Sequence, residues 1–412
     1  MKKFIGFTLV TLLAQIAFGE VQFVRVMFYG NASNSAVIGW DQVSGENPVL
    51  HFDTVRPFDF EFSQTQSIAT KNNAKGMFNH FVRLENLLPN QAYYFSIKDN
   101  KGFSKVYYFY TAPNVNSEQL SFIGGGDSRT RSAVRRLANQ MVEKLKPHAV
   151  LFAGDYTGFD TQKEWLQWFT DWELTIGTDG RVIPIVPTRG NHEKTNKVMV
   201  DIFDVPCKRA YYSTQFGGSL FNVVVLNSEI WKGGAQTWFL NSQLKEHAGF
   251  NWQMPMYHRP MRPHVSHKKE MQTQYRNFVP VFEKFKNVRL ALECDSHTCK
   301  STWPILKSKD KLADEGFVRD DKNGIVYIGE GCWGAPPRAA DDLKSWTRDA
   351  EMNDSFKWIF VSKEKIDVRT VLYSNVNEVQ VLSNKTRFSL PDNILIWNPS
   401  NGSVVTVLPI EN

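Results

Sequence analysis

The sequence predicts a two-domain protein in which an all-β domain precedes an α/β domain. Between residues 21 and 112, short apolar runs are separated by turn clusters such as residues 30–34, a pattern typical of a β-sandwich. From Gln119 onward, apolar strands alternate with amphipathic helical patterns, as in α/β folds. We therefore divide the chain into residues 20–113, a linker at 114–118, and a second domain at 119–412.

Residues 1–19 have the pattern of an export signal. Lys2 and Lys3 precede an apolar run from Phe4 to Phe18, and residues 17–19 fit a small-residue cleavage site. The run is too short for a bilayer-spanning helix, although a retained N-terminal anchor is the alternative interpretation. We expect a secreted or periplasmic protein without a stable membrane span.

The charge balance excludes one class of partner. The chain has 48 Lys and Arg against 42 Asp and Glu, and the basic residues are scattered along it. A nucleic-acid-binding protein would show clustered basic residues, so we expect no nucleic-acid partner.

The four cysteines are Cys207, Cys294, Cys299 and Cys332. They are few for a disulfide scaffold, although an oxidising compartment would allow two bridges. A bridge between Cys294 and Cys299 would stiffen the segment around His297. Buried thiols at a strand end are the equally good alternative.

Residues of the metal-ligating types follow the apolar runs of the second domain. They are Asp127, Asp155, Asn191, His258, Asp295 and His297. Strand ends are where α/β folds place their sites, and carboxylates, amide oxygens and imidazoles bind divalent metals. Taken alone, each aspartate could cap a helix and His258 could be a core histidine, but the ordered set predicts a metal centre.

One segment of the first domain, residues 88–95 (Leu-Pro-Asn-Gln-Ala-Tyr-Tyr-Phe), resembles the tyrosine-corner segment of fibronectin type III domains. Tyr93 takes the corner position, and Trp40 lies where those domains keep a core tryptophan. This domain shows no cluster of ligand-type residues, so we expect it to pack against or position the second domain.

The second domain resembles the calcineurin-like metallophosphoesterases, and within them the purple acid phosphatases. Residues 126–129, 154–158, 190–193, 256–259 and 294–297 have the sequences Gly-Asp-Ser-Arg, Gly-Asp-Tyr-Thr-Gly, Gly-Asn-His-Glu, Met-Tyr-His-Arg and Cys-Asp-Ser-His. The resemblance implies a fibronectin type III-like β-sandwich followed by a double-sheet, four-layer α/β metallophosphoesterase domain.

The resemblance also implies a ligand set. Asp155 would bridge two divalent ions. The first ion would also be bound by Asp127 and His297, and the second by Asn191, His258 and Asp295. His192 would be the catalytic histidine beside the phosphoryl group, steadying the transition state or protonating the leaving oxygen.

The function implied is hydrolysis of phosphate monoesters by attack of a metal-bound hydroxide, on a small phosphate-ester substrate. A phosphodiesterase or nucleotidase of the same superfamily is one alternative. A secreted binding protein that keeps the fold without the catalysis is another, because two of the sequence blocks are altered.

The departures from the family pattern concern the metal ligands. The tyrosine that colours the purple enzymes is replaced by Gly158, and the first histidine of the last block is Asp295. Tyr156 is two residues too early to replace that tyrosine. We therefore expect an uncoloured site that takes manganese, iron in the ferrous state, zinc or magnesium.

Arginines near the blocks are candidates for binding substrate. Arg129 stands where other phosphoesterases place a histidine ligand, and a guanidinium cannot bind a cation but can contact phosphate in bidentate fashion. Arg189 and Arg259 are further candidates, with a solvated surface charge as the alternative for each.

Overall fold

The computed structural model describes residues 20–410, so the predicted export signal lies outside the described part of the chain. The first domain is all-β, as predicted. Its strands are β1 (Val21–Met27), β2 (Gly30–Asn31), β3 (Ala36–Gln42), β4 (Val49–Asp53), β5 (Gln64–Gln66), β6 (Thr70–Ala74), β7 (Met77–Leu84), β8 (Ala92–Asp99), β9 (Gly102–Phe103) and β10 (Tyr107–Tyr110).

The first domain is a sandwich of two antiparallel layers. One layer runs β1-β3-β7-β6 and the other β10-β8-β4-β5, with β9 paired to β8. Trp40 is fully buried between them. The hydroxyl oxygen of Tyr93 accepts a hydrogen bond of 2.7 Å from the Leu88 N–H, which ties the turn before β8 to the strand. The specific likeness to fibronectin type III domains stays a prediction.

Strands and helices alternate in the second domain, again as predicted. The elements are β11 (Leu120–Gly125), α1 (Ser132–Leu145), β12 (Ala149–Phe152), α2 (Gln162–Trp172), β13 (Ile185–Pro187), α3 (Asn196–Phe203), β14 (Tyr212–Phe216), β15 (Phe221–Val225), α4 (Ala235–Glu246), β16 (Trp252–Met256), α5 (Gln272–Asn277), α6 (Val279–Phe282), β17 (Leu290–Leu292), β18 (Cys299–Thr302), β19 (Ile305–Lys307), β20 (Phe317–Arg319), β21 (Val326–Gly329), β22 (Thr347–Glu351), β23 (Ser355–Val361), β24 (Ile366–Leu372), β25 (Leu395–Ile396) and β26 (Val404–Val407).

Helices α1 and α2 follow their sequence patterns closely. In α1, the buried residues include Ala138, Met141, Val142 and Leu145, the spacing of one helical face. α2 begins at a capping box in which the Thr161 side chain accepts from the Glu164 N–H and Glu164 accepts in return. Residues 161–164, Thr-Gln-Lys-Glu, have the sequence pattern of such a box.

Two large sheets form the second domain. One is the run β25-β24-β23-β11-β12-β13, and the other is the eight-stranded sheet β2-β14-β15-β16-β17-β21-β18-β22. Alternate residues of the second sheet belong to different cores: Val223 and Leu292 pack toward the first sheet, whereas Val224 and Ala291 pack with α4 and α6. The two sheets are thus layered between helices, as the predicted fold class requires.

The two domains are joined through both large sheets, because β2 of the first domain pairs in parallel with β14 and β1 pairs with β13. β1 pairs in parallel with β13 at Met27 and Ile185, which joins four strands of the first domain to the first sheet of the second, eleven strands in all. Arg25 is fully buried at this junction, where it donates to the Ile202 carbonyl at 2.8 Å and to the Asn79 side chain at 2.6 Å. Burial lowers the pKa of Arg25 to about 9. The first domain is therefore built into the second rather than tethered to it.

Two of the sequence predictions concern a membrane span and a disulfide bridge. Within residues 20–410, no helix combines the length and apolarity needed to cross a bilayer. All four cysteines are free, and Cys294, Cys299 and Cys332 are buried. The structure therefore shows buried thiols at the strand ends and not the Cys294–Cys299 bridge.

Candidate metal centre

The carboxyl ends of five strands meet at one edge of the two sheets. β11, β12 and β13 are parallel neighbours in the first sheet, and β16 and β17 are parallel neighbours in the second. The loops that follow these strands carry the candidate ligands: Asp127, Asp155, Asn191, His258 and Asp295. Because the carboxyl ends of parallel strands lie at the same edge, residues distant in the chain come together there.

Four of the candidate ligands have a left-handed backbone. The φ angles are 57° at Asp127, 57° at Asp155, 71° at Asp295 and 59° at His297. Residues other than glycine rarely adopt this conformation, and where they do it is concentrated at functional sites. The local backbone is thus bent so that these side chains face the centre.

Three side-chain oxygen atoms that could bind a metal ion lie around His258. Its Nε2 lies 3.1 Å from Asn191 Oδ1, 3.2 Å from Asp155 Oδ1 and 3.6 Å from Asp295 Oδ1. The Nδ1 of His258 lies 2.8 Å from the Ala153 carbonyl, to which its N–H donates. That bond leaves Nε2 free to bind a cation, an arrangement usual for metal-binding histidines.

The residues predicted to bind the first ion, Asp127 and His297, are arranged differently. His297 Nε2 lies 3.2 Å from Asp127 Oδ1 and 3.4 Å from Arg129 Nη1. Asp127 Oδ2 accepts the Asp295 N–H at 2.8 Å, so this carboxylate joins the two groups. His297 Nδ1 lies 3.1 Å from the Pro336 carbonyl.

Two buried carboxylate oxygens support a bound cation. Asp127 Oδ1 and Asp155 Oδ2 are buried without a hydrogen-bond partner, which is costly for a charged group. The ligand atoms of Asp127, Asp155 and His258 lie within 4.8 Å of one another. In the described chain, this is the one group of three or more His, Cys, Asp or Glu residues with that property. The donor set fits a divalent ion.

The charges of the centre favour a cation at His258. Burial would lower the pKa of His258, but the charges of Asp155 and Asp127 outweigh burial and raise that pKa well above its usual value. Burial would raise the pKa of Asp295, but His258 and Lys268 hold it far below the usual range. Either a proton or a metal ion at His258 Nε2 would supply the positive charge that the surrounding carboxylates favour.

Glu193 holds two ligand loops together. Its Oε2 accepts the N–H groups of Asp155 at 3.0 Å and Gly190 at 2.7 Å, and its Oε1 accepts the Tyr156 N–H at 2.9 Å. Burial, followed by the charge of Asp155, raises the pKa of Glu193 to about 8. The sequence showed Glu193 within a block, but its structural role depends on contacts that span the chain.

His192 lies at the mouth of the centre. Its N–H donates to Asp155 Oδ1 at 2.8 Å, and its Nδ1 contacts the Gly158 carbonyl. The imidazole Nε2 lies 3.7 Å from Asp155 Oδ2, and the side chain is 25% exposed. The ring is therefore oriented by the backbone and is accessible to a substrate.

The three arginines proposed for substrate binding lie in different environments. Arg129 faces His297, as described above. Arg189 donates to the Glu193 carbonyl and to Asn196, contacts that stabilise its own loop. Arg259 forms an ion pair with Glu229 at 2.8 Å, with about a third of its side chain exposed.

Two basic residues at the centre were not found from the sequence. Lys268 Nζ lies 2.8 Å from Asp295 Oδ2. The N–H of Arg338 donates to the His297 carbonyl at 2.7 Å, and its guanidinium lies beside the Asp295 carbonyl at 3.4 Å. Both come from loops outside the motif blocks, so no local pattern singled them out.

The position of the family's tyrosine is occupied by glycine in a crowded place. A Cβ added to Gly158 would lie 2.7 Å from Thr130 and 2.9 Å from Glu164. Tyr156 is fully buried, with its ring centroid 4.5 Å from that of Phe152 and 5.4 Å from that of Trp165. Tyr156 thus belongs to the aromatic core.

Replacing Gly331 with alanine is expected to destabilise the protein and displace Asp127. Gly331 has a φ of +78°, and an added Cβ would lie 1.8 Å from Asp127 Oδ2. The left-handed backbone alone costs about 1–3 kcal/mol, and the collision adds to it. Urea unfolding measures the total.

The matched control is Gly402→Ala. Gly402 has a φ of +91°, but the nearest atom to its added Cβ, from Arg348, is 3.9 Å away. This variant should show the backbone cost only. Equal destabilisation by the two variants would contradict the collision at Asp127.

Lys300 lies at the centre of a buried charge cluster beneath the His297 loop. Its Nζ is 2.6 Å from both Glu293 and Glu330, and all three side chains are at most 1% exposed. We expect Lys300→Met to destabilise the fold by about 3–5 kcal/mol, because two buried carboxylates would lose their cation. The control Lys365→Met removes a half-exposed pair with Asp367 and should change stability by at most about 1 kcal/mol.

The same cluster predicts a pH dependence. Burial would raise the pKa of Glu330, but Lys300 and then His264 outweigh it and lower that pKa from 4.5 to about 2. The stabilisation is therefore present above about pH 4.5 and is lost as the pH falls towards 2. Lys300→Met should remove this dependence, and an unchanged acid profile would contradict the pairing.

Comparisons with known proteins agree with this architecture. Residues 123–293 match the family model of the calcineurin-like phosphoesterases, and residues 21–111 match that of the purple acid phosphatase N-terminal domain. The comparison with curated proteins finds no match.

Two solved structures are similar in fold. Purple acid phosphatase PPD1 from yellow lupin (Lupinus luteus) seeds has a TM-score of 0.72 at 16% identity, over 90% of this chain and 76% of the lupin chain. PhoD has a TM-score of 0.64 at 13% identity, over 93% of this chain and 91% of its own.

The second domain thus contains a calcineurin-like phosphoesterase domain, and the chain is an enzyme of the class that hydrolyses phosphoric esters. Within that class it is purple acid phosphatase-like, because a purple acid phosphatase N-terminal domain precedes the phosphoesterase domain. This confirms the resemblance inferred from the sequence blocks, and with it the two-domain fold class.

Proposed function

We propose that this protein hydrolyses phosphate monoesters at a divalent-metal centre. The observation that carries the proposal is the convergence of Asp155, Asn191 and Asp295 on the Nε2 of His258. These side chains would hold the metal, with Asp127 and His297 beside them. A bound divalent ion would lower the pKa of water and neutralise phosphoryl charge.

His192 is suited to protonate the leaving oxygen. Its Nδ1 is engaged by the Gly158 carbonyl, so Nε2 is the nitrogen available to a substrate. The N–H of His192 is anchored on Asp155, which places the ring next to the proposed metal. A histidine in this position can carry a proton to the departing alcohol.

Basic side chains around the centre support a monoester substrate. Arg129, Lys268 and Arg338 lie next to His297, Asp295 and their backbone. A monoester carries up to two negative charges on its phosphoryl group and a diester one, so this positive surround favours the monoester. Arginine can also contact two phosphoryl oxygens at once.

The ligand chemistry supports an uncoloured centre. Carboxylates and an amide oxygen dominate around His258, and the tyrosine position is Gly158. Such ligands suit manganese, ferrous iron, zinc or magnesium. We propose export as well, on the pattern of residues 1–19, and an exported enzyme would act outside the cytoplasm.

An assay of the chelator-treated protein tests the function. Generic phosphomonoesters and phosphodiesters would be supplied with each of the four divalent ions in turn. We expect monoester hydrolysis that returns only with added metal and exceeds diester hydrolysis. Binding of metal or phosphate without hydrolysis of either ester would instead support a binding protein that keeps the fold.

A further inference from the structure

We propose that the centre holds a single divalent ion, at His258, and that Arg129 and Lys268 supply the positive charge of a second ion. This inference rests on the proposed metal-dependent function. It departs from the two-ion arrangement implied by the sequence resemblance, and it assigns two side chains of this chain to the place of a metal.

The donors for one ion are complete around His258. One side-chain oxygen each of Asp155, Asn191 and Asp295 lies within 3.6 Å of His258 Nε2. These four side chains therefore surround one position for an ion. Asp127 also lies within reach, in the group whose ligand atoms are within 4.8 Å of one another. In the part of the chain that the structure describes, this is the one such group, and His297 is outside it.

Arg129 lies where the first ion would bind. Its Nη1 is 3.4 Å from His297 Nε2, the nitrogen that also faces Asp127 Oδ1 at 3.2 Å. A guanidinium stays protonated and has no lone pair to offer a metal. An ion bound to His297 at about 2.0–2.2 Å would therefore lie beside the permanent positive charge of the Arg129 guanidinium.

The main chain holds Arg129 in this position. The Arg129 N–H donates to the Asp155 carbonyl at 3.4 Å, and its own carbonyl accepts from Arg135 at 2.5 Å. Arg135 is in turn fixed by a buried ion pair with Asp171. The φ of Arg129 is 33°, a left-handed value that the surrounding contacts must maintain.

Lys268 completes the charge balance. Its ammonium lies 2.8 Å from Asp295 Oδ2, while the other oxygen of that carboxylate faces His258. The carboxylates of Asp127, Asp155 and Asp295 are opposed by the two cations that contact candidate ligand side chains, Arg129 at His297 and Lys268 at Asp295. With one divalent ion, the centre has a small net positive charge that suits a phosphate. A second ion would add two more positive charges without a further ligand to offset them.

Metal stoichiometry tests the inference. The protein would be saturated with manganese or zinc, freed of excess ion, and analysed for metal per chain. We expect one ion in the unmodified protein and two in Arg129→His, because that substitution replaces the guanidinium with an imidazole ligand. The control Arg136→His makes the same change on an exposed face of α1 (side chain 44% exposed) and should retain one ion.

The outcomes separate this inference from the proposed function. Two ions in the unmodified protein, or one in Arg129→His, would overturn the inference alone. The absence of any bound ion would overturn the proposed function with it. Electron paramagnetic resonance of the manganese-loaded unmodified protein adds a readout that needs no variant: we expect the hyperfine pattern of an isolated ion, and the spectrum of an exchange-coupled pair would overturn the inference.

Discussion

Asp155→Asn is expected to abolish metal retention and to lower kcat/KM by more than about 10²–10³-fold, the loss typical of removing one electrostatic stabiliser. Asp155 is 1% exposed, and its Oδ1 lies 3.2 Å from His258 Nε2. The substitution preserves the shape of the side chain but removes its charge, so the effect reports on cation binding. Metal analysis and phosphomonoester kinetics on the same sample measure it.

The matched control for this prediction is Asp204→Asn. Asp204 is also buried, at 3% exposed, but it pairs with Arg83 in the first domain. This variant should keep its metal and its activity, with at most a change in stability. Full metal content in Asp155→Asn would contradict the placement of the ion.

His192→Ala is expected to reduce turnover by about 10²-fold or more while leaving the metal content intact. The reason is that the His192 ring faces the mouth of the centre, at 3.7 Å from Asp155 Oδ2, while its own backbone N–H maintains the loop. Alanine keeps that N–H. Steady-state kinetics with parallel metal analysis measure both quantities.

The leaving group distinguishes the role of His192. If it protonates the departing oxygen, the loss should be larger for alkyl phosphates than for aryl phosphates, whose acidic leaving groups need little protonation. His247→Ala, at a helix end where His247 caps the Gln243 carbonyl, is the control and should leave turnover unchanged. An equal loss for both substrates would rule out the acid role.

The positions of the candidate ligands could be anticipated from the sequence because local patterns determine them. Each follows a short apolar run, and the strand ends of an α/β domain converge, so Asp127, Asp155 and His258 come within 4.8 Å of one another. The capping box at Thr161 likewise depends only on neighbouring residues.

The remaining features depend on contacts that no local pattern encodes. Lys268 reaches Asp295 from a loop between β16 and α5, and Arg338 reaches the His297 loop from the segment after β21. The continuation of the eleven-stranded sheet across both domains rests on a single registered pair, Met27 with Ile185. The approach of Arg129 to His297 likewise depends on how distant loops pack.

The most direct test of the central claim is anomalous diffraction from crystals of this protein saturated with manganese. We expect an anomalous peak within direct bonding distance of His258 Nε2, with the side-chain oxygens of Asp155 and Asn191 as its neighbours. Crystals that show bound manganese elsewhere, with no peak at His258, would contradict it.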